Sequence, residues 1–441
     1  MNIDIEHWIT SEKTILKSKK FYSHFDYRTS ISKCRDYIMD PHNIATHGFY
    51  PFIHYEKKMI KYNKTDGKKE KVRDICYASH IDSCIYQLYS FILNEYYNAK
   101  VQELGISSVA VAYRTDLHES NIQFAKRAID FIRQSRQCYV MIGDFTGFFD
   151  NLDHRYLKER WCDLIGEKSL PNDHYAVFKN ITKFSRWELT DLLELNGLED
   201  TPKGRRKLNS LPRVLTAENF RNNRSHIVQN KECGIPQGSP ISATLANVYM
   251  IDIDEKINNV VSSTGGLYMR YSDDFIVVIP QVSDGSREKL KEIVSLFKKT
   301  PGITLEPNKT QYFEYHDSAL ENCGKIFDID ADCRKKVINF LGFTFDGKKV
   351  VLRAKAITKY YYRMYSKAKT IANGRTYSRF GRRVSCANLY KRYSHRGAYC
   401  KQGNFLTYVN RSKRCFGSGE AIDRDTKRHM QKIRNALKSG G

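Results

Sequence analysis

The stretch Leu267–Pro280, LYMRYSDDFIVVIP, sets two adjacent carboxylates, Asp273 and Asp274, between two runs that read as buried strand. The runs LYMRY and FIVVI predict two strands meeting in a tight turn, with both aspartates at its tip. Alone, an Asp-Asp pair is an ordinary turn, because Asp is common in turns. A second stretch changes the balance. In YVMIGDFTGFFDNLD, Tyr139 to Ile142 is strand-like and Asp144 falls at its end, free to project from a sheet edge. Three carboxylates from two neighbouring strand ends can converge on one point. Such a cluster is costly unless cations neutralise it, since like charges raise one another's pKa. Ligands that are all oxygen favour Mg²⁺ or Mn²⁺ over zinc. Two such ions about 3.5–4 Å apart can activate an attacking hydroxyl and hold the leaving oxygen in phosphoryl transfer.

Working outward, GIPQGSPISATLANVYMIDI reads as a Gly/Pro turn feeding a helix. Gly238 lets backbone approach a ligand closely, and Ser239 and Pro240 fit an N-cap and first helical residue. MIKYNKTDGKKEKVRDICYAS reads as a hairpin turning at Asp66-Gly67. It leads to a helix marked by Ile81, Cys84, Ile85, Leu88, Ile92 and Tyr96. SNIQFAKRAIDFI is a second helix, capped by Ser120 or Asn121. A polar region from about Trp161 to Lys231 gives no clear periodicity. After the quoted hairpin come a helix from about Ser286 to Lys299, a strand GITLEPNKTQYFEY, and a hairpin NFLGFTFDGKKVVLR turning at Asp346-Gly347. Strands and helices alternate through the middle third, which indicates an α/β or α+β sheet. Asp150 and Asp153 read as helix-start or surface carboxylates.

Composition bounds the class. The chain has 441 residues, 41% of them hydrophobic, enough for two or three folded domains. No apolar run approaches the ~20 residues of a membrane helix, and the start lacks a signal-peptide pattern. A cytoplasmic protein with no membrane partner is expected. The 11 cysteines are an odd number with no C-x-x-C pair, which suits free thiols. The formal net charge is +24, and it is lopsided: Val351–Gly441 holds 23 Lys and Arg against three acids. The same segment carries nine tyrosines, among them Tyr360, Tyr361, Tyr362 and Tyr365. Basic groups interleaved with rings suit phosphate contact plus base or sugar stacking, so nucleic acid is the expected partner. A merely solubilising face would not need so many rings.

Taken in order, these elements resemble the palm of reverse transcriptases, the right-hand-shaped RNA-directed DNA polymerases. DFTGFFD resembles their first palm motif, GIPQGSPISATLAN their second and YSDD their Y-x-D-D box, with EPNKT and FLGF following in the family's order. The resemblance runs from about Arg73 to Phe345. It implies an α+β right hand: an N-terminal extension over 1–60, fingers over 61–138, a palm over 139–347 with an insertion at about 155–231, and a helical basic thumb over 348–441. It implies that Asp144, Asp273 and Asp274 bind two Mg²⁺ ions, with Mn²⁺ as a substitute. Lys309 becomes a proton donor to the leaving pyrophosphate. Arg73, Arg114, Phe145, Phe149, Gln237 and Gly238 become nucleotide-binding residues, Phe149 as the ring that excludes a 2′-hydroxyl. Leu341, Gly342 and Phe343 become the hairpin that grips the primer's 3′ end. The bland alternatives are that Phe148 or Phe149 is core, that Arg73 and Arg114 are surface ion pairs, and that FLGFTF is sheet core.

The partners implied are an RNA template, deoxynucleotides and nascent cDNA; the oligomeric state is not legible. An RNA-dependent RNA polymerase is the nearest rival enzyme, and Phe149 with Y-S-D-D argues against it. A non-catalytic RNA-binding scaffold is the rival from another class, and the intact carboxylate set argues against that. Signatures of retron enzymes, N-A-x-x-H and V-T-G, are not found. No ribonuclease H or integrase domain is expected after the basic segment. The sequence therefore looks most similar to stand-alone bacterial reverse transcriptases of antiphage defence, which work with a dedicated noncoding RNA. A retron-like enzyme, or protein-primed or template-independent synthesis, remains the alternative.

Overall fold

Helices and strands sort into two units that interleave along the chain. In the computed structural model, residues 3–63, 67–114, 116–230, 232–327, 336–378, 383–400 and 402–438 are described. One unit comprises Met1–Tyr113, Phe145–Lys256 and Ser295–Thr304; the other comprises Arg114–Asp144, Ile257–Val294 and Leu305–Gly441. The mixture of helices with mainly antiparallel sheets makes the fold α+β.

The first unit is built on a four-stranded sheet in the order Asp74–Tyr77, Phe52–Glu56, Ser185–Glu188, Val228–Gln229. Its apolar face closes over Phe25, Ile53, Trp187, Leu192, Leu208 and Val214. The long helix His80–Glu103 carries the expected spacing, and Cys84, Ile85 and Leu88 are buried along it. Ser79 caps it by accepting from the Asp82 N–H. The expected hairpin forms from Met59–Asn63 and Gly67–Lys71, while Asp66 lies outside the described residues.

The stretch from Trp161 to Asn230 is folded. It holds the helices Asn172–Thr182, Leu189–Glu194, Pro202–Leu208 and Ala217–Asn222 and two short strands. Each helix is only one to three turns long, too short to show a period. Burial is spread over short clusters such as Ala176, Val177, Phe178 and Ile181 or Leu189, Leu192 and Leu193, and Trp161 and Trp187 are fully enclosed. The helix after the Gly/Pro turn begins at Ser242, with Ile241 as its N-cap. Ser239 and Pro240 therefore lie in the turn and do not cap it. Ser242 Oγ instead donates to the Pro236 carbonyl (2.7 Å), which tightens the loop.

The second unit contains a five-stranded antiparallel sheet, ordered Ala319–Asn322, Gln311–His316, Gln137–Gly143, Asp274–Pro280, Leu267–Tyr271. Two of its three inner strands, Gln137–Gly143 and Asp274–Pro280, are apolar along nearly their whole length. The helix Asn121–Ser135 packs on them, and its cap is Ser120, which forms a capping box with Gln123. Only Gln311–His316 of the expected strand GITLEPNKTQYFEY is strand; Pro307 removes a ladder donor and the preceding residues form a loop. The expected last hairpin is a three-stranded meander of Ile338–Phe340, Phe343–Phe345 and Val350–Leu352, so it turns at Leu341-Gly342 as well as after Phe345. The basic end is helical, from Ala354–Ala372 to His429–Lys438. Tyr360, Tyr361 and Tyr393 are core, and Tyr360 and Tyr361 donate to the Tyr393 and Asp425 carbonyls (2.6 and 2.7 Å). Tyr362 and Tyr365 are exposed. Among the described residues, no helix is long and apolar enough to cross a membrane.

One buried base makes the first unit sensitive to acid. His24 is fully enclosed, with Nε2 3.2 Å from the Tyr77 carbonyl and rings of Phe25 and Tyr77 edge-on to it. Burial pushes its pKa down to about 3. The unfolded chain therefore takes up the proton first as pH falls. Stability is intact above the ordinary histidine pKa of about 6.5 and is lost progressively below it, down to about pH 3. We predict a loss of about 2 kcal/mol between pH 7 and pH 5 from this group. His24→Phe should shrink that loss in denaturant titrations at the two pH values; an equal loss in the variant would exclude His24 as its source.

Candidate active site

Asp144 follows directly on the strand Gln137–Gly143, and Asp274 opens its neighbour Asp274–Pro280. The register pairs Gly143 with Phe275, so the two aspartates end up at the same edge of adjacent strands. Gly143 is required there by close approach: a Cβ would lie 2.4 Å from the Phe275 ring. Asp273 joins them from a two-residue turn, Ser272-Asp273, since Tyr271 pairs with Asp274. Ser272 takes φ 62°, which costs a non-glycine residue roughly 1–2 kcal/mol. Arg270 meets that cost by donating from Nη1 to the Ser272 carbonyl (3.1 Å) while itself fully buried. Sequence reasoning missed Arg270, although an arginine inside an otherwise apolar strand was its signal.

The other side of Asp144 is stitched to the loop that carries Lys309. Glu306 N–H donates to the Asp144 carbonyl (2.8 Å), and Lys309 and Thr310 N–H groups donate to the Glu306 carbonyl. This brings Lys309 Nζ onto Asp144 Oδ2 as an ion pair. Asp144 Oδ1 is buried with no hydrogen-bond partner. Burial, then the neighbouring Asp144 charge, raises the pKa of Asp273. Burial, then Asp273 and Asp144, pushes that of Asp274 up to about 6, although part of Asp274 still reaches solvent. Lys309 and Arg353 pull the other way. Arg353, at the start of the helix Ala354–Ala372, is a second cation that sequence reasoning missed.

Among the described residues, no three Asp, Glu, His or Cys side chains stand close enough together to hold a metal ion by themselves. The chemistry of the donors nonetheless fits a hard divalent cation. They are all carboxylate oxygens, they destabilise one another as anions, and one buried oxygen lacks any donor. Substrate phosphate and water would complete such a shell.

The remaining residues of interest fall into both units. In the second, Arg114 is buried and held bidentately by Asp116, Nη2 to Oδ2 at 2.5 Å and Nε to Oδ1 at 3.2 Å. Leu341 and Gly342 form the meander turn, and Phe343 is core. In the first unit, the Phe145 ring is core, 5.5 Å from Phe148 and 5.2 Å from Phe297. Phe148 is buried and Phe149 half-buried, so the pair divides as one core ring and one accessible ring. Arg73 is exposed, and its backbone exchanges hydrogen bonds with Lys57. The Gln237 carbonyl accepts from Cys76 N–H (2.8 Å), and a Cβ on Gly238 (φ 115°) would lie 2.4 Å from the Cys76 carbonyl oxygen. Only glycine lets that loop lie on the strand Asp74–Tyr77.

The family described as reverse transcriptase (RNA-dependent DNA polymerase) matches residues 62–345. No curated protein matches the sequence. Solved structures that resemble the chain include apo telomerase from Candida tropicalis truncated from its C-terminal domain (12% identity, TM-score 0.40, 72% of this chain and 59% of that one). They also include telomerase from Candida albicans in complex with a TWJ fragment of telomeric RNA (12%, 0.39, 92% and 65%). Apo telomerase from Candida tropicalis is a third (11%, 0.40, 95% and 73%). The chain spans less than two thirds of the length of the first two.

The crowding of carboxylates has a measurable consequence. Because the folded pKa of Asp274 is raised, its stabilising contribution is lost as pH rises from the ordinary carboxylate range through about 6. In chelator at pH 7.5, Asp274→Asn is therefore predicted to melt higher than the native chain, by roughly 2 °C or more. The rise in melting temperature on adding Mg²⁺ should shrink in the same variant. A lower melting temperature in chelator would show that repulsion at this edge is already relieved by solvent.

Proposed function

The chain belongs to the reverse transcriptase (RNA-dependent DNA polymerase) family, and from that premise we propose that it copies an RNA template into DNA. The observation that carries this reading is the carboxylate cluster: Asp144, Asp273 and Asp274 crowd one another at adjacent strand ends, with a lysine laid against the first. In this reading a primer 3′-hydroxyl attacks the α-phosphate of a deoxynucleotide, and pyrophosphate leaves. Asp144, Asp273 and Asp274, together with substrate phosphate and water, would hold Mg²⁺, which would supply Lewis-acid activation of the hydroxyl and neutralise charge at the phosphate.

The chain's own residues do the rest. Lys309 is half-exposed with its ammonium at Asp144, so it can hold its proton beside the leaving group until the bond breaks. General-acid help of this kind contributes about 10²–10⁴-fold. Phe149 presents a rigid ring that leaves no room for a 2′-hydroxyl. Arg73 offers an exposed guanidinium to the triphosphate, and Gln237 with Gly238 offers close backbone to the nucleotide and template. Leu341 to Phe343 hold the primer end, and the basic C-terminal helices bind the duplex backbone. Arg114, buried against Asp116, acts on the nucleotide only if that pair opens. The finer reading is a bacterial enzyme of antiphage defence templated by a dedicated noncoding RNA. Its support is the resemblance of the motif set to stand-alone bacterial enzymes, together with the charge of the C-terminal segment.

The test is nucleotide incorporation by the protein purified with its bound RNA, with deoxynucleotides and ribonucleotides supplied separately and the product sequenced. Deoxynucleotide incorporation that Asp273→Ala/Asp274→Ala abolishes is the expected result, and the product sequence names the template. Native protein that incorporates nothing with its own RNA present would favour the scaffold. A second prediction concerns the ring. Phe149→Ala should improve the use of ribonucleotides relative to deoxynucleotides by roughly tenfold or more, read from the two kcat/KM values. An unchanged ratio would remove Phe149 from the nucleotide pocket.

A further inference from the structure

The turn Leu341-Gly342 is held from outside by two residues that lie far from it in sequence. It joins strands in which Phe340 pairs with Phe343, and both turn residues have positive φ, 45° and 93°. That conformation is natural for Gly342 and costly for Leu341. Asn121, the first residue of the helix Asn121–Ser135, donates from Nδ2 to the Leu341 carbonyl (2.9 Å) and to the Tyr408 hydroxyl oxygen (3.0 Å). A carbonyl can only accept, which fixes the orientation of the amide. Both of its N–H groups are therefore committed.

Tyr408 belongs to the helix Phe405–Phe416 of the basic C-terminal segment. The same pair backs Gly342: a Cβ there would meet Tyr408 Oη at 3.4 Å and Asn121 Nδ2 at 3.7 Å. The next residue, Phe343, lies 6.2 Å from the Tyr408 ring and 4.8 Å from that of Phe416, ring centre to ring centre. The Gly342 carbonyl accepts from Arg353 N–H (3.0 Å). Every one of these residues lies in the second unit. Ordinary fold support would need only the packing of Phe343. The hydrogen bonds are instead spent on a strained two-residue turn.

We propose that Asn121 and Tyr408 are positioning residues, a latch that makes the helix Phe405–Phe416 and the turn shift as one body. The latch thereby sets where a primer terminus rests relative to the aspartates. This rests on the polymerase reading, in which the turn holds the primer end. Three variants of the full chain separate the contributions. Tyr408→Phe removes the hydroxyl and keeps the ring contacts. Asn121→Asp keeps the shape and lacks both N–H donors. The third combines them.

With a synthetic RNA template and DNA primer, each single variant should lower kcat for one-nucleotide addition roughly fivefold to tenfold. KM for the deoxynucleotide should stay within about twofold. The double variant should be no worse than the worse single, because both cut one link. Kinetics are normalised to active molecules by burst amplitude, so a loss of folded protein alone would leave kcat unchanged. Amide hydrogen exchange over residues 338–345 should speed up roughly tenfold in each variant. Normal kcat with unchanged exchange, or losses that multiply in the double variant, would overturn the latch. If the native chain incorporates nothing, the polymerase reading fails on its own, and the exchange measurement still decides whether the turn and helix are coupled.

Discussion

Two aspartates end up side by side because the strands that carry them are neighbours, and a two-residue turn adds a third. Their mutual repulsion is the constraint on which much of the second unit depends. A flexible scaffold would relax it by letting the carboxylates move apart. This one does not, because each strand is anchored in a sheet whose inner members are buried on both faces. Gly143 lets the Phe275 ring close over the strand pair, and the fully buried Arg270 holds the strained turn. Burial first, and the neighbouring carboxylate charges second, raise the pKa values of Asp273 and Asp274. A fold that retains such a cost at one edge is consistent with a site arranged for a ligand, since local rules are broken most often where function requires it.

The supports of the cluster come from widely separated parts of the chain. The loop before Gln311 is tied to the Asp144 backbone, which delivers Lys309. Arg353 arrives from the start of a C-terminal helix, bonded through its N–H to the meander turn, and its charge favours ionised Asp274. Cationic groups therefore moderate the cluster without filling it. One oxygen of Asp144 stays without a donor. The first unit has its own close approach, where the Gln237-Gly238 loop lies on the strand Asp74–Tyr77 with no space for a side chain at 238. At Gly238 backbone proximity dictated glycine; at Gly143 the close approach of the Phe275 ring did.

Much of the local structure was legible. The long helix His80–Glu103 and the helix Asn121–Ser135 follow from apolar spacing, and the quoted hairpin follows from two strand runs around a polar turn. The region after Trp161 was not legible. Its helices are short, and its buried residues fall in small clusters on each of them, such as Ala176, Val177, Phe178 and Ile181. Periodicity needs several turns to show itself, so such a segment looks polar and unstructured until its partners are present. The strand expected before Gln311 failed for a related reason. Its apolar residues are few, and Pro307 cannot donate to a ladder.

The sequence by itself determined which residues could do chemistry: acid side chains at strand ends, a basic and tyrosine-rich C-terminal segment, and glycines at turns. Those are properties of residue types and short-range order. Tertiary structure decided how they are used. Phe145 and Phe148 became core while Phe149 kept an accessible edge, and Arg114 was taken up by Asp116. Tyr360 and Tyr361 went into the interior, with their hydroxyls on backbone carbonyls, while Tyr362 and Tyr365 stayed outside. Arg270, Arg353, Asn121 and Tyr408 acquired roles that no local pattern announces. The physical reason is the same in each case. A side chain's environment is set by elements that approach it from tens or hundreds of residues away, and one sequence stretch does not contain that information.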